Sequence, residues 1–164
     1  MKRTLVYTHS EKFRDNHEMD AFGIFCFDGR FNDEFFGLRK ALGKKGIDAQ
    51  QTGGGSLAFF GSEYGLPAAD GLTLFGADFA KRRHGVNRFF VVDHEDCGAY
   101  RDGLAFKFDK DRLEVTREEI LQEQEHNLPR ARRIILEKFP GCTVRIFQAL
   151  INKHGFVEVY ELHE

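Results

Sequence analysis

Tryptophan is absent from this chain, and cysteine, methionine and proline are scarce: three, two and three in 164 residues. Three cysteines are an odd number and too few for a disulfide scaffold, so a reducing cytoplasm suits the chain best. No apolar run approaches the ~20 residues of a membrane span. Met1 to Tyr7 begin basic, but their apolar stretch is too short for a signal peptide and soon meets His9, Glu11 and Lys12. An excess of either charge is missing too, with 24 basic against 26 acidic side chains and a formal charge of -2. That balance excludes a broad electrostatic footprint for nucleic acid or an anionic membrane surface. Internal repeats, low-complexity linkers, a Cys-x-x-Cys pair and a Gly-Lys-Ser/Thr phosphate loop are all lacking. The chain is long enough to bury a core without staples and reads as one domain over residues 1–164, with residues 1–19 as an amino-terminal extension.

Phenylalanine is what abounds, with 18 residues. Most fill the core, and their number leaves an apolar patch for a partner. A short strand over residues 4–8 and a charged, irregular stretch from Ser10 to Glu18 come first; His9 and His17 have no partner motif and read as surface residues. Ala21 to Phe27 is apolar on both faces, as parallel strands tend to be. Phe31, Phe35, Leu38 and Leu42 then recur at helical spacing until Gly43 and Gly46, and Ile47 to Thr52 is a second strand. A helix from about Pro67 to His84 puts Leu72, Phe75 and Phe79 on its inner face. Lys81, Arg82 and Arg83 complement the dipole at its carboxyl end, and Gly85 stops it.

Asn87 to Asp93 is the third strand. Tyr100 to Leu113 reads as a polar loop whose Phe106 and Phe108 fold over the site or a partner. Thr116 and Glu119 make a capping box for a helix that Pro129 kinks or divides and Pro140-Gly141 ends. Thr143 to Ile151, a turn at Lys153-His154-Gly155 and Phe156 to Leu162 form an antiparallel pair. Strands alternating with helices predict an α/β fold, a central and mostly parallel sheet with helices on both faces and an antiparallel carboxyl-terminal edge strand.

The chemistry collects at strand ends. Cys26 closes the first apolar strand, and His94 and Cys97 follow the run Phe89-Phe90-Val91-Val92. Thiolate and imidazole suit Zn²⁺, and three protein ligands leave a fourth position for water or substrate. The carboxyl ends of parallel strands are also where ligands bind. Alternation sets Asp28 on the face of Cys26, either as a fourth ligand or as a base beside the metal, and Arg30 can hold that carboxylate off the metal through a bidentate pair. Gly53-Gly54-Gly55 leave the second strand; they permit positive φ and close backbone approach, so their N–H groups are candidates to hold an oxyanion, the alternative being a flexible turn. Cys142, at the start of a strand, reads as an inert core thiol.

Together, Cys26-x-Asp28-x-Arg30 and His94-x-x-Cys97-Gly98-Ala99 resemble the paired signature of the β-class carbonic anhydrases, over about Ala21 to Tyr160. The resemblance implies reversible hydration of CO₂ to bicarbonate by a hydroxide on zinc, with Cys26, His94 and Cys97 as ligands. It further implies that Asp28 orients the hydroxide and that Arg30 fixes Asp28; Gly53, Gly54, Gly55 and Gly98, beside these motifs, are candidates to border the substrate. A homodimer or higher homo-oligomer is implied as well. The same scaffold accommodates hydrolysis of carbonyl sulfide or carbon disulfide, and a non-catalytic zinc-binding or assembly module is the reading from another class. The pattern departs from the family at four places. The first ligand comes at residue 26, leaving little room for an amino-terminal arm. Gln51-Thr52-Gly53-Gly54-Gly55 stand where Arg-Asn-Ala-Gly is common, Asp93 replaces a glycine, and Phe27 and Gly29 replace small polar residues.

Overall fold

A run with no exposed residue needs a strand on each side and a layer on each face, and Ala21–Cys26 (β1) has both. The structure, a computed structural model, describes residues 19–42, 46–67 and 69–163. β1 pairs in parallel with Ile47–Thr52 (β2) on one side and Arg88–His94 (β3) on the other. Thr143–Ile151 (β4) lies parallel beside β3, and Val157–Leu162 (β5) closes the sheet antiparallel, in the order β2-β1-β3-β4-β5. The α/β class, the parallel centre and the antiparallel edge follow the expectation from sequence. The expected strand over residues 4–8, the Ser10 to Glu18 stretch, His9, His17 and Gly43 lie outside the described residues.

Alternation along the strands divides the core. Phe25, Phe90, Val92 and Phe147 face Asn32–Ala41 (α1), which answers with Phe35 and Leu38. Phe22, Ile24, Phe89 and Val91 face the opposite layer, made by Asp70–His84 (α2), Gly98–Lys107 (α3) and Arg117–Lys138 (α4). Each such side chain contributes about 1.5–3 kcal/mol on burial. β2 and β3 flank β1 on opposite sides, so the chain reverses direction across the sheet there. That switch point is where an open sheet leaves a crevice at its carboxyl ends. The register brings three ends together, Cys26 opposite Thr52, and Phe25 opposite Val92 two residues before His94.

Three expectations fail. Leu72, Phe75 and Phe79 do not face inward; they are 67%, 61% and 45% exposed, and Thr73, Ala77 and Ala80 pack against the sheet instead. The close approach decides this: a Cβ on Gly76 would sit 2.4 Å from Gln50 Oε1, so only the small-residue side of α2 can lie on β2. The segment read as a loop from Tyr100 to Leu113 holds most of α3, a ten-residue helix that starts at Gly98, and runs into a 3-10 turn at Arg112–Glu114. Tyr100 and Leu104 anchor it, and Gly103 admits the Tyr64 side chain where a Cβ would lie 2.9 Å from it. Phe106 rests against Gly65, and Phe108 lies between the ammonium groups of Lys107 and Lys110. Pro129 does not divide α4, which runs unbroken through 22 residues. Buried Gln124, Asn127 and Leu128 before it, and Ala131 and Ile135 after it, outweigh the ~3 kcal/mol that an interior proline costs. At the amino end of α4 the Thr116–Glu119 capping box is present as expected.

Candidate metal centre

β1 ends at Cys26 and β3 at His94, and a two-residue turn, Glu95-Asp96, returns the chain so that Cys97 stands at the start of α3. Asp96 makes that turn with φ +54°, a left-handed conformation that aspartate tolerates better than most residues. The ligand atoms of Cys26, His94 and Cys97 all fall within 4.8 Å of one another, and all three residues are buried.

The donor set fits zinc. The two sulfurs are 3.9 Å apart, against about 3.8 Å for the edge of a tetrahedron with Zn–S bonds of about 2.3 Å. His94 Nδ1 lies 2.8 Å from the Glu95 carbonyl oxygen, which fixes Nδ1 as the protonated nitrogen and leaves the Nε2 lone pair free. Nε2 is buried with no hydrogen-bond partner among the described residues. Burial without a partner is costly for a ring nitrogen, and a metal ion removes the cost. Phe31 packs on the imidazole at 4.1 Å between ring centroids, and Gln124 donates to the His94 carbonyl at 2.7 Å.

One proton is shared between the two sulfurs. The Cys97 thiol donates to Cys26, which holds Cys26 well below the usual thiol range against burial, and the same bond pushes Cys97 well above it. Burial draws His94 downward, but the Cys26 thiolate outweighs it and raises the imidazole above its ordinary value. Gly54 adds an N–H to the Cys26 sulfur at 3.4 Å. A cation in the site takes the place of the proton on Cys97 and meets the free lone pair of His94 Nε2.

Asp28 is not among the converging ligand atoms. Arg30 engages its carboxylate along one edge, Nη2 to Oδ2 at 2.6 Å and Nε to Oδ1 at 3.0 Å, and the Arg30 backbone N–H adds a third bond at 3.0 Å. Those bonds hold Asp28 below the usual carboxylate range. The glycines have distinct places. Gly53 lies against Phe27 and Ala99, Gly54 has φ +74°, and Gly55 has φ +53° with no room for a side chain, since a Cβ there would meet Asp93 Oδ1 at 2.4 Å. Gly98 opens α3 beside the Arg112 guanidinium. A largely apolar cleft of about 500 Å³ is lined by Phe27, Gly53, Leu57, Gly98, Ala99 and Asp102.

Two clusters have no counterpart in the sequence reading. Asp93 is fully buried and accepts from Ser56 N at 2.7 Å, Ser56 Oγ at 2.5 Å and Tyr100 Oη at 3.1 Å. This carboxyl ties the glycine loop to the strand that delivers His94. Asp96 bridges Arg30 and Arg101 at 3.2 and 3.0 Å. Asp93 had a faint signal, a charged residue inside an apolar strand; Tyr100 had none.

A protein of Rickettsia bellii (strain RML369-C), itself uncharacterised, is 31% identical over 163 residues, which is 96% of this chain and 92% of the other. The chain belongs to the same family as that protein. No family model matches this sequence. Among solved structures, the β-carbonic anhydrase CafA of Aspergillus fumigatus superposes with a TM-score of 0.56 at 16% identity, covering 91% of this chain and 78% of that one. The β-carbonic anhydrase CcaA gives 0.50 at 15%, covering 88% and 80%. The family therefore has a carbonic-anhydrase-like α/β fold, and this member carries a Cys-His-Cys cluster able to hold a metal ion.

Proposed function

We propose that the chain is a zinc-dependent carbonic anhydrase that interconverts CO₂ and bicarbonate. The observation that carries the proposal is the convergence of two thiols and an unpartnered, buried imidazole nitrogen at adjacent strand ends, beside an apolar cleft. Cys26, His94 and Cys97 would hold the ion. When bound, Zn²⁺ supplies a Lewis acid that makes a nucleophile of water near neutral pH. The chain's own residues do the rest. Arg30 keeps Asp28 ionised and turned to one edge of its guanidinium, so the carboxylate is available to accept a proton and orient the nucleophile. Gly53 and Gly98 face the cleft without side chains and leave room for a small substrate, while Phe27 and Leu57 keep its walls apolar.

The size of the cleft favours a second reading on the same site, hydrolysis of carbonyl sulfide or carbon disulfide, which are larger and more apolar than CO₂. Stopped-flow CO₂ hydration by the zinc-loaded protein, repeated with both sulfur compounds, tests the two. CO₂ turnover that vanishes on chelation supports the first, and turnover of a sulfur compound alone supports the second. Zinc binding with no turnover of any of the three would leave a non-catalytic zinc module.

The exposed stripe Leu72, Phe75 and Phe79 supports a homo-oligomer built on α2. Antiparallel pairing of two α2 helices would set Leu72 of one copy against Phe79 of the other, which joins the two exposed apolar stripes. Among the described residues no helix is long and apolar enough to cross a membrane. The cytoplasm is the proposed compartment, because Cys26 and Cys97 must stay reduced to bind metal.

A further inference from the structure

Arg30 is not held by Asp28 alone. Its guanidinium gives Nε and Nη2 to Asp28, and its other edge to Asp96, with Nη1 to Oδ2 at 3.2 Å and Nη2 to the Asp96 carbonyl oxygen at 3.4 Å. The second oxygen of Asp96 accepts from Arg101 Nη2 at 3.0 Å, and Arg101 Nη1 reaches the Val115 carbonyl at 2.6 Å. The ladder Asp28–Arg30–Asp96–Arg101 therefore runs from the end of β1 to α3 and the segment leading into α4.

The need for such a ladder follows from exposure. The Arg30 side chain is 59% exposed, and a solvated ion pair between two side chains contributes too little to fix a carboxylate that has a metal position nearby. A guanidinium gripped along both edges loses that freedom. Asp96 also stands between His94 and Cys97 in sequence, so the grip refers Arg30 to the same turn that carries two of the three metal ligands. Asp28 and the ligand turn become parts of one frame.

We infer that Asp96 is a positioning residue that holds Arg30, and through it Asp28, away from the metal position, so that the fourth coordination site stays open to small ligands. The inference rests on the metal-centre reading above. It differs from the Asp28–Arg30 pairing itself in assigning the control of that pair to a third residue, on a different element.

The test uses the full chain loaded with Co²⁺ in place of zinc, and azide as the probe ligand, read by the change in the visible absorption of the cobalt site. Asp96→Gly removes the carboxylate while keeping a residue at ease with φ +54°, so the turn survives. Azide affinity in Asp96→Gly is expected to fall by about tenfold or more, because Asp28 closes the site. In Asp96→Gly combined with Asp28→Asn it is expected to return to near the wild-type value, since no carboxylate is left to compete, and this non-additivity is the signature of a route through Asp28. Asp96→Asn, which keeps one acceptor oxygen, should fall between. Equal azide affinity in wild type and Asp96→Gly overturns the inference and leaves the metal centre standing, as does a loss that Asp28→Asn fails to reverse. Failure of Asp96→Gly to bind Co²⁺ overturns it too, by showing that the carboxylate serves the turn. Failure of the wild-type chain to show cobalt–thiolate absorption instead sinks the metal-centre reading itself.

Discussion

Replacing Ser56 by alanine should destabilise the fold by an amount that depends on pH, and the buried Asp93 sets the sign. Burial pushes the Asp93 carboxyl up to about 7, against the opposing pull of the Ser56 hydroxyl and N–H, the Tyr100 hydroxyl and the His94 charge. A carboxyl whose pKa rises on folding favours the native state fully below its unfolded value of about 3.9, and that contribution is lost as pH rises through about 7. The Ser56 hydroxyl, at 2.5 Å, is the donor that limits the loss. Near about pH 5 the acid form keeps its own proton, and Ser56→Ala should cost about 1 kcal/mol, an ordinary buried hydrogen bond. Near about pH 8.5 the carboxylate is charged and short of a donor, and the cost should reach about 2–3 kcal/mol. Urea unfolding of the metal-free protein at both pH values, with unchanged m, measures the difference. A loss equal at the two pH values would refute the view that Ser56 holds a carboxylate at the base of the glycine loop.

Other expectations follow from the same geometry. Zinc affinity should rise with pH by about one decade per unit from Cys97 alone, because its proton must leave before the sulfur can bind; titration calorimetry in buffers of differing ionisation enthalpy should find proton release, and none would contradict the shared-proton site. Arg30→Ala should retain zinc but lose most CO₂ hydration, with Asp28 found on the metal in a crystal structure of the zinc-loaded variant; unchanged activity with water still bound would make the pair merely structural. Phe75→Glu, on the exposed face of α2, should yield a monomer in sedimentation without altering the unfolding midpoint of the monomeric fold, whereas an unchanged oligomer would place the interface elsewhere.

Much of the fold was legible because its signals are local. β1 is a continuous apolar run, Thr116 and Glu119 stand at capping-box spacing, and Gly85 closes α2 with φ +69°. The three residues of the candidate metal centre were legible for a related reason, each ending or following an apolar strand. What stayed hidden depends on tertiary contact. In α2 the inward face is set by how closely Gly76 approaches Gln50, so small residues won over Phe75 and Phe79, which hydrophobicity alone assigns to the core. In α3 a polar, glycine-containing sequence is helical because Tyr100 and Leu104 are buried beneath it. Pro129 breaks an isolated helix but not one anchored on both sides of the proline. The Asp93–Ser56–Tyr100 cluster joins residues 37 and 44 positions apart, and no spacing rule connects them.

Zinc content of the purified chain and of Cys97→Ala, by elemental analysis, tests the central claim most directly. The metal centre predicts about one zinc per chain in the wild type and a loss of most of it in the variant, since removing one of three ligands leaves an incomplete site. Full zinc in Cys97→Ala, or a wild-type chain that takes up none under reducing conditions, would contradict it.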